Sequence, residues 1–259
     1  MKLPKLPDVE LQKIPHYARA LGWGLSDPQR FFNLLDEAAK LAAPGIYIGD
    51  NLFTWGRNNS WAEDDVFRRS WEGNARNASD QIIAWRRYIL ACAGYHCVQL
   101  RGDFVECGVY AGSGVKTVMD YLGGPQFPRR FWAYDTYDYS PVDGEAFADQ
   151  KEGFFGEVQA RFLGYPNVKL VKGLLPDSLT GESPGEIAYL HLDLNNAASE
   201  IAVLEALFDR VVPGGITILD DYEWAMRYRP QKIAESKWFD DRNYRVFPLP
   251  TGQGIVIKR

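Results

Sequence analysis

Two short apolar runs that both stop at carboxylates constrain this chain more than anything else in it. Leu190-His191-Leu192 ends at Asp193, and Ile216-Thr217-Ile218-Leu219 ends at Asp220-Asp221, with a helical segment between them. Continuous apolar runs separated by a helix are how buried parallel strands read, so the two runs are expected to lie side by side in a parallel sheet. Their carboxylates then meet at its C-terminal edge. Three acids at one edge suggest a divalent cation, because magnesium takes hard oxygen ligands and leaves room for substrate oxygens.

Upstream stands a second strand-and-turn unit. Phe104 to Tyr110 reads as a buried strand, Ala111-Gly112-Ser113-Gly114 as a glycine turn, and Val115 to Leu122 as a helix. The spacing is not G-x-G-x-x-G and no Lys-Ser/Thr follows, which disfavours a dinucleotide dehydrogenase or a phosphate-cradling loop. The glycines still let the backbone approach a ligand closely. Glu106 sits inside the apolar strand and needs a partner, either an ammonium or amide on a ligand or a base from a neighbouring helix. Phe131 to Asp135 is the next strand, and it ends in an acid about 20 residues after the glycines. A carboxylate there suits two vicinal ribose hydroxyls, or else caps the following turn.

Further strands are expected at Val168–Val171, Ile187–Leu192 and Ile216–Leu219, with helices over 79–95, 153–162, 197–211 and 224–239. Two last strands, 244–247 and 254–258, close the chain around Pro248-Leu249-Pro250-Thr251-Gly252. The fold class that follows is α/β, a mostly parallel sheet with one antiparallel strand near an edge. Residues 1–78 are expected as an N-terminal cap or lid and 79–259 as the main domain. Pro28 to Ala43 is expected as a helix, started by Ser26-Asp27-Pro28 and stopped by Pro44-Gly45. Ile46 to Asn77 reads as turn-rich loop, yet it carries Phe53, Trp55, Trp61, Phe67 and Trp71, so it should fold over the sheet edge or a ligand.

A net charge of -5 offers no basic stripe for nucleic acid. No apolar run approaches a membrane span, and the N-terminus lacks a signal-peptide pattern, so a cytoplasmic protein is expected. The three cysteines, Cys92, Cys97 and Cys107, lack C-x-x-C spacing and are expected as buried free thiols. The run Arg227 to Lys232 is either a solvated helix face or a contact for an anionic substrate group.

The blocks FVECGVYAGSGVKTVMDYL, WAYDTYD, VKLVKGLLPDSL, LHLDLNNAASEIAVLEALFDRVVPGGITILDDY and LPTGQGIVIK resemble the successive blocks of the macrocin O-methyltransferase (TylF-like) family of class I S-adenosylmethionine-dependent enzymes. The resemblance runs from about Asp80 to Arg259. It implies a Rossmann-like methyltransferase sheet, an S-adenosylmethionine cofactor, a magnesium ion, and methylation of a sugar hydroxyl on a natural product or glycan. It also implies that Glu106, Gly108, Tyr110, Gly112, Ser113, Asp135, Thr136, Gly173 and Asp193 line the cofactor pocket. Asp193, Asp220 and Asp221 fall on the family's metal ligands, and Asp193 is the candidate base. Two features depart from the family pattern. Asp193-Leu194-Asn195-Asn196 replaces Asp-x-Asp-x-Tyr, and His16, His96 and His191 offer no counterpart to a catalytic C-terminal histidine. The acceptor is thus expected to be a polyhydroxylated small molecule, in a chain that could form homo-oligomers through its apolar N-terminal segments. Rival readings are a magnesium-dependent catechol or phenol O-methyltransferase and a non-catalytic S-adenosylmethionine-binding protein.

Overall fold

A computed structural model describes residues 25–41, 46–76, 78–137, 153–225 and 228–259. The proline-rich opening, the Pro44-Gly45 stop, Asn77, the acidic stretch around 142–151 and Arg227 lie outside the described residues. No helix among those described is long and apolar enough to cross a membrane.

The centre is a sheet of seven strands in the order β5-β4-β3-β6-β7-β9-β8: β3 (Asp103–Cys107), β4 (Phe131–Asp135), β5 (Val168–Lys172), β6 (Ile187–Leu192), β7 (Val211–Leu219), β8 (Phe247–Pro248) and β9 (Gly254–Ile257). Pairs from β5 through β7 are parallel, and β9 runs antiparallel to both of its neighbours. The chain winds outward from β3 to β5 and then returns to β3's other side with β6. That reversal opens a crevice beyond the carboxyl ends of β3 and β6, where ligands of open α/β sheets bind.

Side chains alternate across this sheet. Phe104, Phe131, Tyr189 and Ile218 enter one buried layer with Leu90, Val115 and Val118. Val105, Trp132, Leu190 and Leu219 enter the other, with Leu204, Leu207, Phe208 and Phe239. The first layer is closed by α5 (Ala84–Cys97), α6 (Ser113–Tyr121) and α7 (Phe154–Arg161), the second by α8 (Ala197–Leu207) and α9 (Arg229–Asp240). Because the strand period is two, Glu106, His191 and Asp220 fall on the first face, under α5.

The main differences from the sequence expectation lie before residue 80. Helix α1 (Pro28–Lys40) starts as expected, with Asp27 accepting a hydrogen bond from the Arg30 amide at 3.0 Å. The stretch expected as loop is instead a hairpin, β1 (Ile46–Gly49) with β2 (Leu52–Trp55), followed by α2 (Ser60–Glu63) and α3 (Asp65–Asn74). Asp50 and Asn51 make its turn with φ of 53° and 56°, the left-handed pair that a two-residue hairpin needs and that Asp and Asn tolerate. The single helix expected over 79–95 is broken at Ile83 into α4 (Ala78–Ile82) and α5. Four of the cap's aromatics pack on each other: Tyr47, Trp61, Phe67 and Trp71 form a third buried cluster with Ala84 and Ala91 of α5. Only Cys97 and Cys107 are buried; Cys92, expected as a buried thiol, is exposed on α5.

Candidate active site

The glycine-turn edge, where the sequence places the cofactor, is built from backbone. Gly108 has φ of +90°, and a Cβ there would lie 1.8 Å from the Asp193 carbonyl oxygen, so only glycine lets the β3 exit pass the β6 exit. Tyr110 and Gly112 continue the turn at φ 49° and 79°, and α6 begins at Ser113. Ser113 Oγ donates to Asp80 at 3.0 Å, and the Tyr110 ring lies 5.5 Å from that of Phe154.

Asp135 stands at the end of β4 and gathers this turn. One carboxylate oxygen accepts from the amides of Val109 and Tyr110, both at 2.7 Å, and the other from the Tyr137 amide at 2.8 Å, with the Thr136 hydroxyl at 3.4 Å. The carboxylate braces the glycine turn, a variant of the capping role the sequence allowed. Gly173, at φ 154°, donates its amide to the Asp135 carbonyl at 3.0 Å and so closes the same edge.

Glu106 is 2% exposed and faces His191 of the adjacent strand. Glu106 Oε2 and His191 Nδ1 are 3.1 Å apart, an ion-pair distance, and a carboxylate with about four lone-pair sites keeps acceptor capacity beyond that one contact. On its other side His191 Nε2 lies 3.2 Å from Asp220 Oδ1. Burial opposes charge on the ring, but Glu106 and Asp220 outweigh it and push the imidazole up to about 10. His191 is therefore a charged strut between two buried carboxylates.

The three acids do converge at the ends of β6 and β7. The strand register sets Leu192 beside Leu219, and the Asp220 amide donates to the Leu192 carbonyl at 2.9 Å. Burial together with Asp220 and Asp221 holds Asp193 well above the usual carboxylate range. Asp221, near Glu200 and Glu235 on its α8–α9 side, is raised to about 7, chiefly by burial, against the pull of Arg86. Asp220 goes the other way: burial opposes its ionisation, yet Arg86 and His191 keep it below the ordinary value.

Arg86, from α5, was not singled out in the sequence. Its Nη1 donates to Asp220 Oδ2 at 2.6 Å and lies 3.3 Å from Asp221 Oδ1, while its Nε donates to Asp50 at 3.0 Å. Gln253, from the loop before β9, donates to Asp220 Oδ1 at 2.8 Å and takes a bond from Thr251 at 3.0 Å, which gives that loop its role. Both oxygens of Asp220 are thus engaged by protein donors. The expected magnesium ligand set is not met by this arrangement. Among the described residues no group of three or more His, Cys, Asp or Glu side chains is set to hold a metal ion, and a guanidinium bridges two of the three acids. The signal for Arg86 was present as a charge at helical spacing in the stripe Ile82, Arg86, Leu90, Ala93. Asp50 and Gln253 had no such local signal.

Comparison with known proteins agrees with this architecture. The model of the macrocin O-methyltransferase (TylF) family matches residues 91–235, more than half of the chain. A Streptomyces olivaceus protein, 8-demethyl-8-(2,3-dimethoxy-alpha-L-rhamnosyl)-tetracenomycin-C 4'-O-methyltransferase, is 31% identical over 140 residues, covering 47% of this chain and 53% of the relative. The chain therefore spans about half the length of that relative. In structure it is similar to the O-methyltransferase NovP, with a TM-score of 0.57 at 20% identity over 74% of this chain and 88% of NovP. The apo form of CalS11, a TDP-rhamnose 3'-O-methyltransferase, gives a TM-score of 0.52 at 18% identity, over 76% and 89% of the two chains. The fold is accordingly that of the Rossmann-like class I methyltransferases, and the chain belongs to the macrocin O-methyltransferase (TylF) family.

Proposed function

We propose that this chain transfers a methyl group from S-adenosylmethionine to a sugar hydroxyl of a natural product or glycan. The observation that carries the reading is the meeting of two edges at the sheet's reversal point. The glycine turn held by Asp135 abuts, through Gly108, the backbone of Asp193, so a group bound on the turn lies beside the acids. The family and the rhamnosyl-acting relative support the acceptor class.

The residues present suit the cofactor: a buried carboxylate with spare acceptor capacity at Glu106, backbone-exposing glycines, and Asp135 at the strand end. When bound, S-adenosylmethionine supplies an electrophilic sulfonium methyl. Glu106 would hold its ammonium, the turn from Gly108 through Tyr110, Gly112 and Ser113 its methionine portion, Asp135 and Thr136 the ribose hydroxyls, and Gly173 the adenine side. Asp193 would take the proton of the attacking hydroxyl, its raised affinity for protons making it a stronger base once ionised. Holding acceptor and methyl group in line does much of the remaining work.

Calorimetry with S-adenosylhomocysteine tests the cofactor half; absence of binding at high micromolar ligand ends the proposal. For the acceptor half, methyl transfer is measured across glycosides and catechols. Asp193→Asn should lower kcat by about 10²–10⁴-fold while cofactor affinity holds. A phenolic acceptor is the second reading, favoured by Phe53 and Trp55, which stand 50% and 61% exposed on the strand that follows Asp50. Cofactor binding with no transfer to any acceptor would instead mark a binding protein.

A further inference from the structure

The Arg86 guanidinium is unusual for its setting. It is nearly buried, it comes from a helix rather than from the strand ends, and it reaches three carboxylates belonging to two remote parts of the chain: Asp50 of the hairpin turn, and Asp220 and Asp221 of the β7 end. The face of Trp224 covers it, 5.5 Å from guanidinium carbon to ring centroid. A guanidinium can serve this many acceptors because its donors are fixed in a planar fork; an ammonium is a single point charge.

A divalent ion at the same edge would need the oxygens that Arg86 and its neighbours hold. Asp220 Oδ2 is 2.6 Å from Arg86, and Asp220 Oδ1 accepts from Gln253 at 2.8 Å and faces His191 at 3.2 Å. Magnesium requires near-octahedral oxygen at about 2.1 Å, so an ion between Asp220 and Asp221 would stand against the guanidinium, cation to cation. Moving Arg86 aside would break its bonds and leave Asp50 buried without its ion-pair partner, a costly state for a carboxylate. We propose that Arg86 is the resident cation of the acid edge and that this edge, unlike a magnesium site, takes no divalent ion. The ordering charge that an ion would supply is then part of the fold, and it ties the N-terminal hairpin to the site through Asp50.

The proposal rests on the methyltransferase reading only for the location of the acceptor, so its test measures ion binding and cofactor binding in the same samples. Manganese is titrated calorimetrically into the wild-type chain, with and without S-adenosylhomocysteine, and into Arg86→Gln, Arg86→Lys and the double variant Arg86→Gln/Asp220→Asn. The expected result is no saturable manganese binding to wild type or Arg86→Lys at millimolar ion. Arg86→Gln should gain one site, at least about tenfold tighter than any wild-type binding, which the double variant loses. Stoichiometric binding to wild type would overturn the proposal, as would a folded Arg86→Gln that binds no ion. Should Arg86→Gln fail to fold, the wild-type titration alone decides. Loss of S-adenosylhomocysteine binding throughout would count against the methyltransferase reading and leave the ion result to be judged by itself.

Discussion

The two edges that meet at the reversal point are held together differently. At the glycine-turn edge a carboxylate is matched by backbone amides close in sequence: Asp135 accepts from residues 109, 110 and 137. At the acid edge the charges are matched by side chains from far away, as when Arg86 bridges Asp50, 36 residues upstream, to Asp220, 134 residues downstream. The first edge needs only a strand, a turn and the next strand to exist. The second exists only after the hairpin, α5, β7 and the β9 loop have packed. The glycine-turn edge should therefore tolerate damage to the cap, and the acid edge should not.

The strongest challenge to this contrast is Arg86→Ala, which leaves Asp50, Asp220 and Asp221 buried without their shared cation. It should cost about 3–5 kcal/mol of unfolding free energy in denaturant titrations. An effect near zero would mean that solvent replaces the guanidinium and that the edge is not built around it. Next comes Gly108→Ala, whose added methyl meets the Asp193 carbonyl at 1.8 Å in a left-handed backbone conformation. A loss of about 1–3 kcal/mol is expected, together with weakened S-adenosylhomocysteine binding. Unchanged cofactor affinity would detach the turn from the cofactor.

The dependence on pH sharpens the acid edge further. Asp221 is raised from 3.8 to about 7, so across that window the folded chain holds a proton that the unfolded chain has released. His191, raised from 6.5 to about 10, does the same over the next window. In both windows the folded state binds more protons, so stability falls as pH rises, by at most about 1.4 kcal/mol per pH unit for each proton. Thermal unfolding as a function of pH should show this decline, and Asp221→Asn should flatten its lower part. A stability that climbs from pH 4 to 7 would contradict the assignment. The smallest effect belongs to Trp55→Ala on the exposed face of the hairpin, expected within about 0.5 kcal/mol in stability. Any change in its acceptor KM would then report contact with substrate rather than folding.

The order of strands and helices was legible because buried strands and amphipathic helices carry their periodicity in neighbouring residues. Phe131–Asp135 and Ile187–Leu192 needed no tertiary information, nor did the meeting of Asp193, Asp220 and Asp221 at one edge, which follows from parallel strands ending in acids. The hairpin turn at Asp50-Asn51 was legible in principle, since Asp and Asn suit left-handed φ, but surrounding glycines and tryptophans hid its alternation. What the sequence could not disclose was the partner of each charge. Three clustered acids read as a metal site because three hard oxygen ligands at one edge suit a divalent ion. The packing of α5 over the first face of the sheet brings Arg86 among them, His191 becomes a strut because β3 and β6 pair in register, and Gln253 arrives only when β9 closes the sheet. A charge's sign and rough position are written along the chain; which opposite charge lies within 3 Å of it is decided by how distant segments pack.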